Sequence, residues 1–315
     1  MGLTAALAVH PASGHGAAAR IADAVAARLR PAVERLDVLT ATSVEESRAL
    51  MRSAHAEGLD VLIVLGGDGA AHQGVQFCAD HDVALGLVPS GTGNDFARAL
   101  GTPPDALTAA GKLAEALRAG TRRTLDLGRL GGAEGSAEGG GDGEHGAWFA
   151  TVLCSGFDAA VNARANSLRW PSGPRRYDVA ILAELAAFRP SPVTLHTDEG
   201  TLELDATLVA VGNTPYYGGG VPICPQATPD DGLFDVTVIG AAGRLQLLRL
   251  LPGLRTGAHL DHPAVRTLRT RTLSIETGSN TGTGPGWPAY ADGESQGTTP
   301  VTATCVPGAL TVVAP

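Results

Sequence analysis

Along the first 125 residues, short apolar runs alternate with stretches whose apolar positions recur at helical spacing. Leu3–Val9 predicts a strand, and Pro11–Gly16 a turn rich in small residues. Ala17–Leu29 predicts a helix. Val44–Glu57 predicts another, with Thr42 or Ser43 as its cap. Asp60–Leu65 (DVLIVL) is a continuous apolar run, the pattern of a strand covered on both faces. It ends in Gly66-Gly67-Asp68-Gly69, after which Ala70–Ala79 returns to helical spacing. Ala84–Val88 predicts a second buried strand and Asn94–Leu100 a helix start. Pro103 and Pro104 then break the chain before a helix over Ala106–Ala119. Strands alternating with helices imply a parallel sheet covered by helices.

From about Arg122 the rhythm changes. Thr124–Leu130, Trp148–Cys154, Val193–Thr197, Thr201–Val211 and Phe234–Ile239 read as strands, while Tyr177–Phe188 and Leu245–Leu251 read as helices. This is the pattern of an antiparallel, β-rich domain. Gly131–Gly146 and Thr277–Gly286 have the composition of insertions without chemistry. A chain of 315 residues exceeds the roughly 250–300 at which single cores stop growing. The expected division is an α/β domain over 1–123, a β-rich domain over 124–300, and a last segment, 301–315. Within that segment Ala309–Val313 is a candidate to return to the first domain.

Charge narrows the function. The 32 acidic residues outnumber the 23 basic ones, for a net charge of −9, which argues against general nucleic-acid binding. The arginines are nevertheless clustered. Arg164, Arg169, Arg175, Arg176 and Arg189 face only Asp178 and Glu184, and six arginines between 244 and 271 face Asp261 alone. Such a locally basic face suits phosphates or an anionic membrane surface. Lys112 is the single lysine, so a lysine phosphate clamp is not expected. No apolar run approaches the ~20 residues of a membrane span. The start MGLTAALAVH lacks the basic opening of a cleaved leader. Cys78, Cys154, Cys224 and Cys305 have no metal-site spacing and read as reduced thiols of a cytoplasmic protein.

Two motifs carry candidate chemistry. In LIVLGGDGAAHQ (Leu62–Gln73) a buried strand runs into glycines, an aspartate and a helix. Glycines at the carboxyl end of a parallel strand let a ligand approach the backbone, and the helix start offers free N–H groups to an anion. Asp68 suits a metal ion or a hydroxyl donor rather than a phosphate; its alternative role is a helix cap. In LGLVPSGTGNDFARALG (Leu85–Gly101), Ser90 and Thr92 can donate to phosphate oxygens, and Asn94 or Asp95 can cap the next helix. Two strand–loop–helix elements 25 residues apart should lie side by side, with Pro11-Ala12-Ser13-Gly14 forming a third wall.

The GGDG turn followed by PSGTGNDFAR resembles the catalytic domain of the diacylglycerol kinase family, in its bacterial soluble lipid-kinase branch, related to sphingosine and ceramide kinases. Gly212-Asn213, Tyr217-Gly218-Gly219-Gly220, Pro225–Asp235 and Asp292-Gly293-Glu294 resemble further family motifs, in the family's order and across nearly the whole chain. Three positions depart from it. Ala70 stands for the usual Thr, His72 for the usual Asn, and His10 for the Asn before Pro11.

The resemblance implies an α/β nucleotide domain of the NAD-kinase and phosphofructokinase type, followed by a β-sandwich-like domain that takes the lipid. It implies ATP in the crevice between them, held by Pro11, Ala12, Ser13 and Gly14, by Thr40, by Gly66, Gly67, Asp68, Gly69, Ala70, Ala71, His72 and Gln73, and by Thr92. It implies magnesium (Mg2+) on the carbonyls of Thr228 and Leu233 and the carboxylate of Asp231. Glu294 is the implied general base, with Asp292 sharing or orienting it and Asp68 as the rival. The expected reaction passes the γ-phosphate of ATP to a lipid alcohol, diacylglycerol by default. The enzyme would be cytoplasmic, with transient contact to a membrane surface and a homodimer left open. Trp148, Phe149, Phe157 and Trp170 serve either as an interfacial face or as the second core. Rival readings are NAD-kinase-like phosphorylation of a soluble hydroxyl and a degenerate kinase that only senses nucleotide or lipid.

Overall fold

The computed structural model describes residues 2–10, 17–132, 146–167, 179–180, 183–184, 189–277 and 286–314. The predicted turn at Pro11–Gly16, Trp170, most of the helix predicted over Tyr177–Phe188 and the middles of both insertions lie outside the described residues. The chain forms two compact units. One comprises Met1–Leu127, Gly218–Gly220 and Pro307–Pro315; the other comprises Gly128–Tyr217 and Val221–Val306.

The first unit follows the strand–helix alternation. Strands β1 (Thr4–Val9), β2 (Arg35–Thr40), β3 (Val61–Gly66) and β4 (Ala84–Pro89) pair in parallel in the order β4-β3-β1-β2. Every position of β3 and β4 is buried, as continuous apolar runs require when helices cover both faces. Between them run α1 (Ala17–Leu29), α2 (Val44–Ala56) and α3 (Asp68–His81); α4 (Asp95–Ala99) and α5 (Ala106–Ala119) follow. Ser43 is the cap of α2, its Oγ accepting the Glu46 N–H at 3.1 Å, and the Glu46 carboxylate accepts the Thr42 N–H in return. Val312 pairs in parallel with Leu85, so the final strand adds to the free edge of β4.

In the second unit, Thr201–Val211 grows into one long strand, Gly200–Gly212, that changes partners along its length within one sheet. Its first half pairs with Ser191–Thr197; its second half is flanked by Val152–Gly156 and Phe234–Gly240, all antiparallel. The side-chain period of two splits it between cores. Val209 and Val211 join Phe149, Phe234 and Ile275, while Leu208 and Ala210 join Phe157, Ile223 and Leu247. The second group is closed by helices Phe157–Ser167 and Arg244–Leu254.

One expectation changes here, and one pair of alternatives is decided. Trp148–Cys154 is not one strand: it breaks at Ala150-Thr151 into Trp148–Phe149 and Val152–Gly156. Of the four aromatics considered for an interfacial face, Trp148, Phe149 and Phe157 are buried. Phe149 stacks on Phe234 with ring centroids 5.5 Å apart. The core takes them because a chain with so few aromatics needs their area inside.

The site depends on how tightly α3 lies on the sheet. A Cβ at Gly74 would come within 2.7 Å of Val64 Cγ2 and 3.0 Å of Leu85 Cδ1. Gly74→Ala therefore lowers stability by about 1–3 kcal/mol in urea unfolding, although the same change in an open helix raises it by about 0.5–1 kcal/mol.

Candidate active site

The glycine turns of the first unit meet at the carboxyl ends of β3 and β4. Gly67 caps α3 in an extended conformation, and the Ser90 N–H donates to Gly66 O at 2.9 Å. A Cβ on Gly91 would sit 2.7 Å from Gly67 Cα, so the two turns touch through their backbones. Asp68 fastens them. Its Oδ2 accepts the Asn94 N–H at 2.8 Å and its Oδ1 the Asp95 N–H at 2.6 Å. Those two N–H groups open α4. Asn94, in the left-handed conformation, makes no side-chain cap itself and instead holds Gly91 through both its amide oxygen and nitrogen. The expectation that Asn94 or Asp95 caps this helix is corrected: Asp68, 26 residues upstream of Asn94, does so.

Asp95 is buried and its Oδ2 accepts the Gly219 N–H at 2.8 Å, which draws the glycines of Tyr217–Gly220 into the first unit. Burial raises the Asp95 pKa; the nearby Asp68 charge adds to this, and the Gly219 and Gly220 amides oppose it. The Ser90 hydroxyl is buried with no hydrogen-bond partner, and the first N–H groups of α3 have no helical acceptor. An orphaned hydroxyl beside open glycine turns fits a phosphate group. Thr92 is exposed on this loop. Gly69 and Ala70 border the turn, but Ala71 and His72 face the packed side of α3. Gln73 accepts from Arg48 Nε at 3.2 Å. Thr40 ends β2, exposed, and Pro11, Ala12, Ser13 and Gly14 lie outside the described residues.

In the second unit, Asp292 and Gly293 form the two-residue turn between Pro288–Ala291 and Glu294–Thr298, with φ of 52° and 85°. Positive φ at both positions is the type I′ requirement. The Asp292 carboxylate accepts the Ala150 N–H at 2.9 Å, the Thr151 N–H at 2.8 Å and the Thr151 hydroxyl at 2.5 Å. Asn213 reaches the same break, donating its side-chain amide to Ala150 O at 3.0 Å. This pair explains why the predicted strand over Trp148–Cys154 is interrupted. Both Asp292 oxygens are thus spent on holding the Ala150-Thr151 break. Glu294, beginning the next strand, is exposed, and its carboxylate has no hydrogen-bond or ion-pair partner among the described residues.

Thr228, Asp231 and Leu233 share one turn. Asp231 Oδ2 accepts the Thr228 hydroxyl at 2.6 Å and pairs with Arg269, while Oδ1 accepts the Leu233 N–H at 3.1 Å. Both oxygens are engaged and a guanidinium already supplies positive charge, so this arrangement does not fit magnesium. The sequence could not reveal Arg269, which lies 38 positions downstream.

Each half of the chain matches a family model. Residues 4–130 match the diacylglycerol kinase catalytic domain, and residues 151–314 the YegS C-terminal NAD kinase beta sandwich-like domain. A diacylglycerol kinase of Mycobacterium tuberculosis is 40% identical over 308 residues, covering 97% of this chain and 93% of that protein. A Xanthomonas campestris protein named "Probable lipid kinase YegS-like" is 32% identical over 246 residues, 74% of each chain. The crystal structure of a diacylglycerol kinase from Bacillus anthracis str. Sterne superposes with a TM-score of 0.70 at 20% identity, covering 100% of this chain and 97% of that one, which shows the shared fold. Fold and motifs together define a phosphotransferase of the lipid-kinase class. The chain belongs to the diacylglycerol kinase catalytic-domain family, in its YegS-type branch.

Two outcomes follow from this geometry. A carboxyl whose folded pKa is raised favours the fold below its unfolded value near 3.9, and that contribution is lost as pH rises through the folded value. Asp95→Asn should therefore gain stability relative to the unsubstituted chain as pH rises from about 4 to 7, read from urea midpoints. Asp231→Asn should leave the magnesium titration of activity unchanged and cost at most about 1 kcal/mol, the worth of a half-exposed ion pair.

Proposed function

We propose that this lipid kinase takes the γ-phosphoryl group of ATP, with magnesium, and transfers it to the hydroxyl of diacylglycerol, giving phosphatidate and ADP. The observation that carries the nucleotide assignment is the junction of the two glycine turns by Asp68, beside the partnerless Ser90 hydroxyl. Such a turn offers main-chain N–H groups and a hydroxyl to phosphate oxygens without side chains in the way. The acceptor assignment rests on the diacylglycerol kinase named among the relatives.

In the proposed reaction the lipid hydroxyl oxygen forms a bond to the γ-phosphorus as the bond to the leaving ADP oxygen breaks. The hydroxyl proton passes to the Glu294 carboxylate. Glu294 is favoured over Asp68 because its oxygens are unengaged, whereas each Asp68 oxygen already accepts a main-chain N–H. Asp292 keeps Glu294 in place by fixing the turn that precedes it. Magnesium bound with the nucleotide would supply charge neutralisation. Most of the rate then comes from positioning and charge. The resemblance implies a threonine hydroxyl where Ala70 stands, so one donor to the nucleotide would be missing there.

The assay is transfer of labelled phosphate from ATP to lipid alcohols in mixed micelles, with soluble NAD as a control. Diacylglycerol should be labelled and NAD should not; labelling of NAD alone would overturn the proposal. Glu294→Gln should lower kcat by about 10²–10⁴ with little change in ATP binding. Asp68→Asn loses one acceptor oxygen, so it should lower thermal stability and weaken ATP binding. A Glu294→Gln enzyme at full turnover, beside a dead Asp68→Asn enzyme that still binds ATP, would move the base to Asp68.

A further inference from the structure

We propose that the outward face of the helix Arg244–Leu254 docks the enzyme on an anionic lipid bilayer. The inference rests on the lipid-kinase assignment and names the surface that would bring the second unit to its substrate.

Leu247 and Leu250 anchor the inner face of this helix in the core that contains Phe157 and Ile223. At about 100° per residue, Leu245, Leu248 and Pro252 fall at the centre of the opposite face. Arg249 lies on one flank of that strip, Arg244 and Arg255 on the other. Leu245 is 71% exposed and Leu248 47%; no other large apolar side chain among the described residues exceeds 42%. A solvent-facing helix ordinarily carries polar residues there, so leucines at the centre of the outer face need an apolar partner.

The flanks identify that partner. Arg244, Arg249 and Arg255 are exposed and form no ion pair with any described residue. No acidic residue occurs between Asp235 and Asp261. In a protein of net charge −9, this cluster is positive against the overall balance. An apolar strip bordered on both sides by arginines matches a helix lying in the plane of a membrane interface. There leucines enter the acyl boundary while the guanidinium groups reach out to lipid phosphates. The aromatics Trp148, Phe149 and Phe157 cannot serve instead, because they are buried.

The test is co-sedimentation of the full chain with vesicles of phosphatidylcholine alone and of phosphatidylcholine with phosphatidylglycerol at 3:1. The unsubstituted chain should prefer the anionic vesicles. Leu245→Ser with Leu248→Ser should weaken binding to both by tenfold or more. Arg244→Gln, Arg249→Gln and Arg255→Gln together should abolish the anionic preference, at about fivefold per arginine. Both variants should keep the thermal midpoint, since the altered groups are exposed. Both should still phosphorylate a short-chain diacylglycerol dissolved as monomer, while turnover of vesicle-embedded diacylglycerol falls. Unchanged vesicle binding by both variants would overturn the docking face. So would a dimer, in sedimentation velocity, that the leucine variant dissolves, because the strip would then be a contact between two copies. Absence of any lipid phosphorylation by the unsubstituted chain would count against the proposed reaction alone, since the vesicle measurement needs no turnover.

Discussion

One carboxylate organises the candidate phosphate site. Asp68 sits in the first turn of α3, yet spends both oxygens on the N–H groups that open α4. It is therefore negative charge placed at two helix starts, where it is favoured by both sets of unpaired amides. The consequence for a phosphate is restrictive. The Asn94 and Asp95 amides are already used, so donors must come from the α3 start, from the loop around Gly91–Gly93 and from Ser90. Gly93 belongs to the same constraint, because a Cβ there would collide with Asp68 Oδ2. Asp95, pulled into the interior by this arrangement, then holds Gly219, so the glycine segment after Tyr217 inherits its place from Asp68 two contacts away.

Much of the fold was legible because burial leaves a periodic trace. Continuous apolar runs marked β3 and β4, and Ala17–Leu29 and Ala106–Ala119 were bounded to the residue. The misjudged places share a cause: a distant side chain competes with local preference. Trp148–Cys154 has strand propensity throughout, but Asp292 and Asn213 hold its middle in a turn from 141 and 63 positions away. The motif order singled out Asp68, Asp231 and Asp292 as candidates. It did not reveal their partners, because spacing along the chain carries no information about which N–H, hydroxyl or guanidinium arrives from elsewhere. Each of the three is satisfied by protein groups, whereas the Glu294 carboxylate has no partner among the described residues.

The second unit shows how one strand can be asked to do two jobs. Residues of Gly200–Gly212 alternate between the core around Phe149 and Phe234 and the core closed by helices. A helix that covers one face of a sheet must present its other face to something. In Arg244–Leu254 both faces carry leucine, which makes this element the exception to the amphipathic rule that α2 and α5 obey.

The strand Val301–Val312 begins in the second unit and finishes in the first, where the Gly308 N–H donates to Asp126 across 182 residues of sequence. Synthesis proceeds from the other end. When β4 leaves the ribosome, the strand that will cover its edge has not been made, and the whole second unit must be translated before it arrives. Throughout that interval the nascent first unit carries an open sheet edge of six buried-type residues, the kind of edge that invites pairing with a neighbouring chain. Completion of this unit is therefore a late step in biogenesis, and a chaperone's hold on the growing polypeptide would matter most between the emergence of Ala84 and that of Val312.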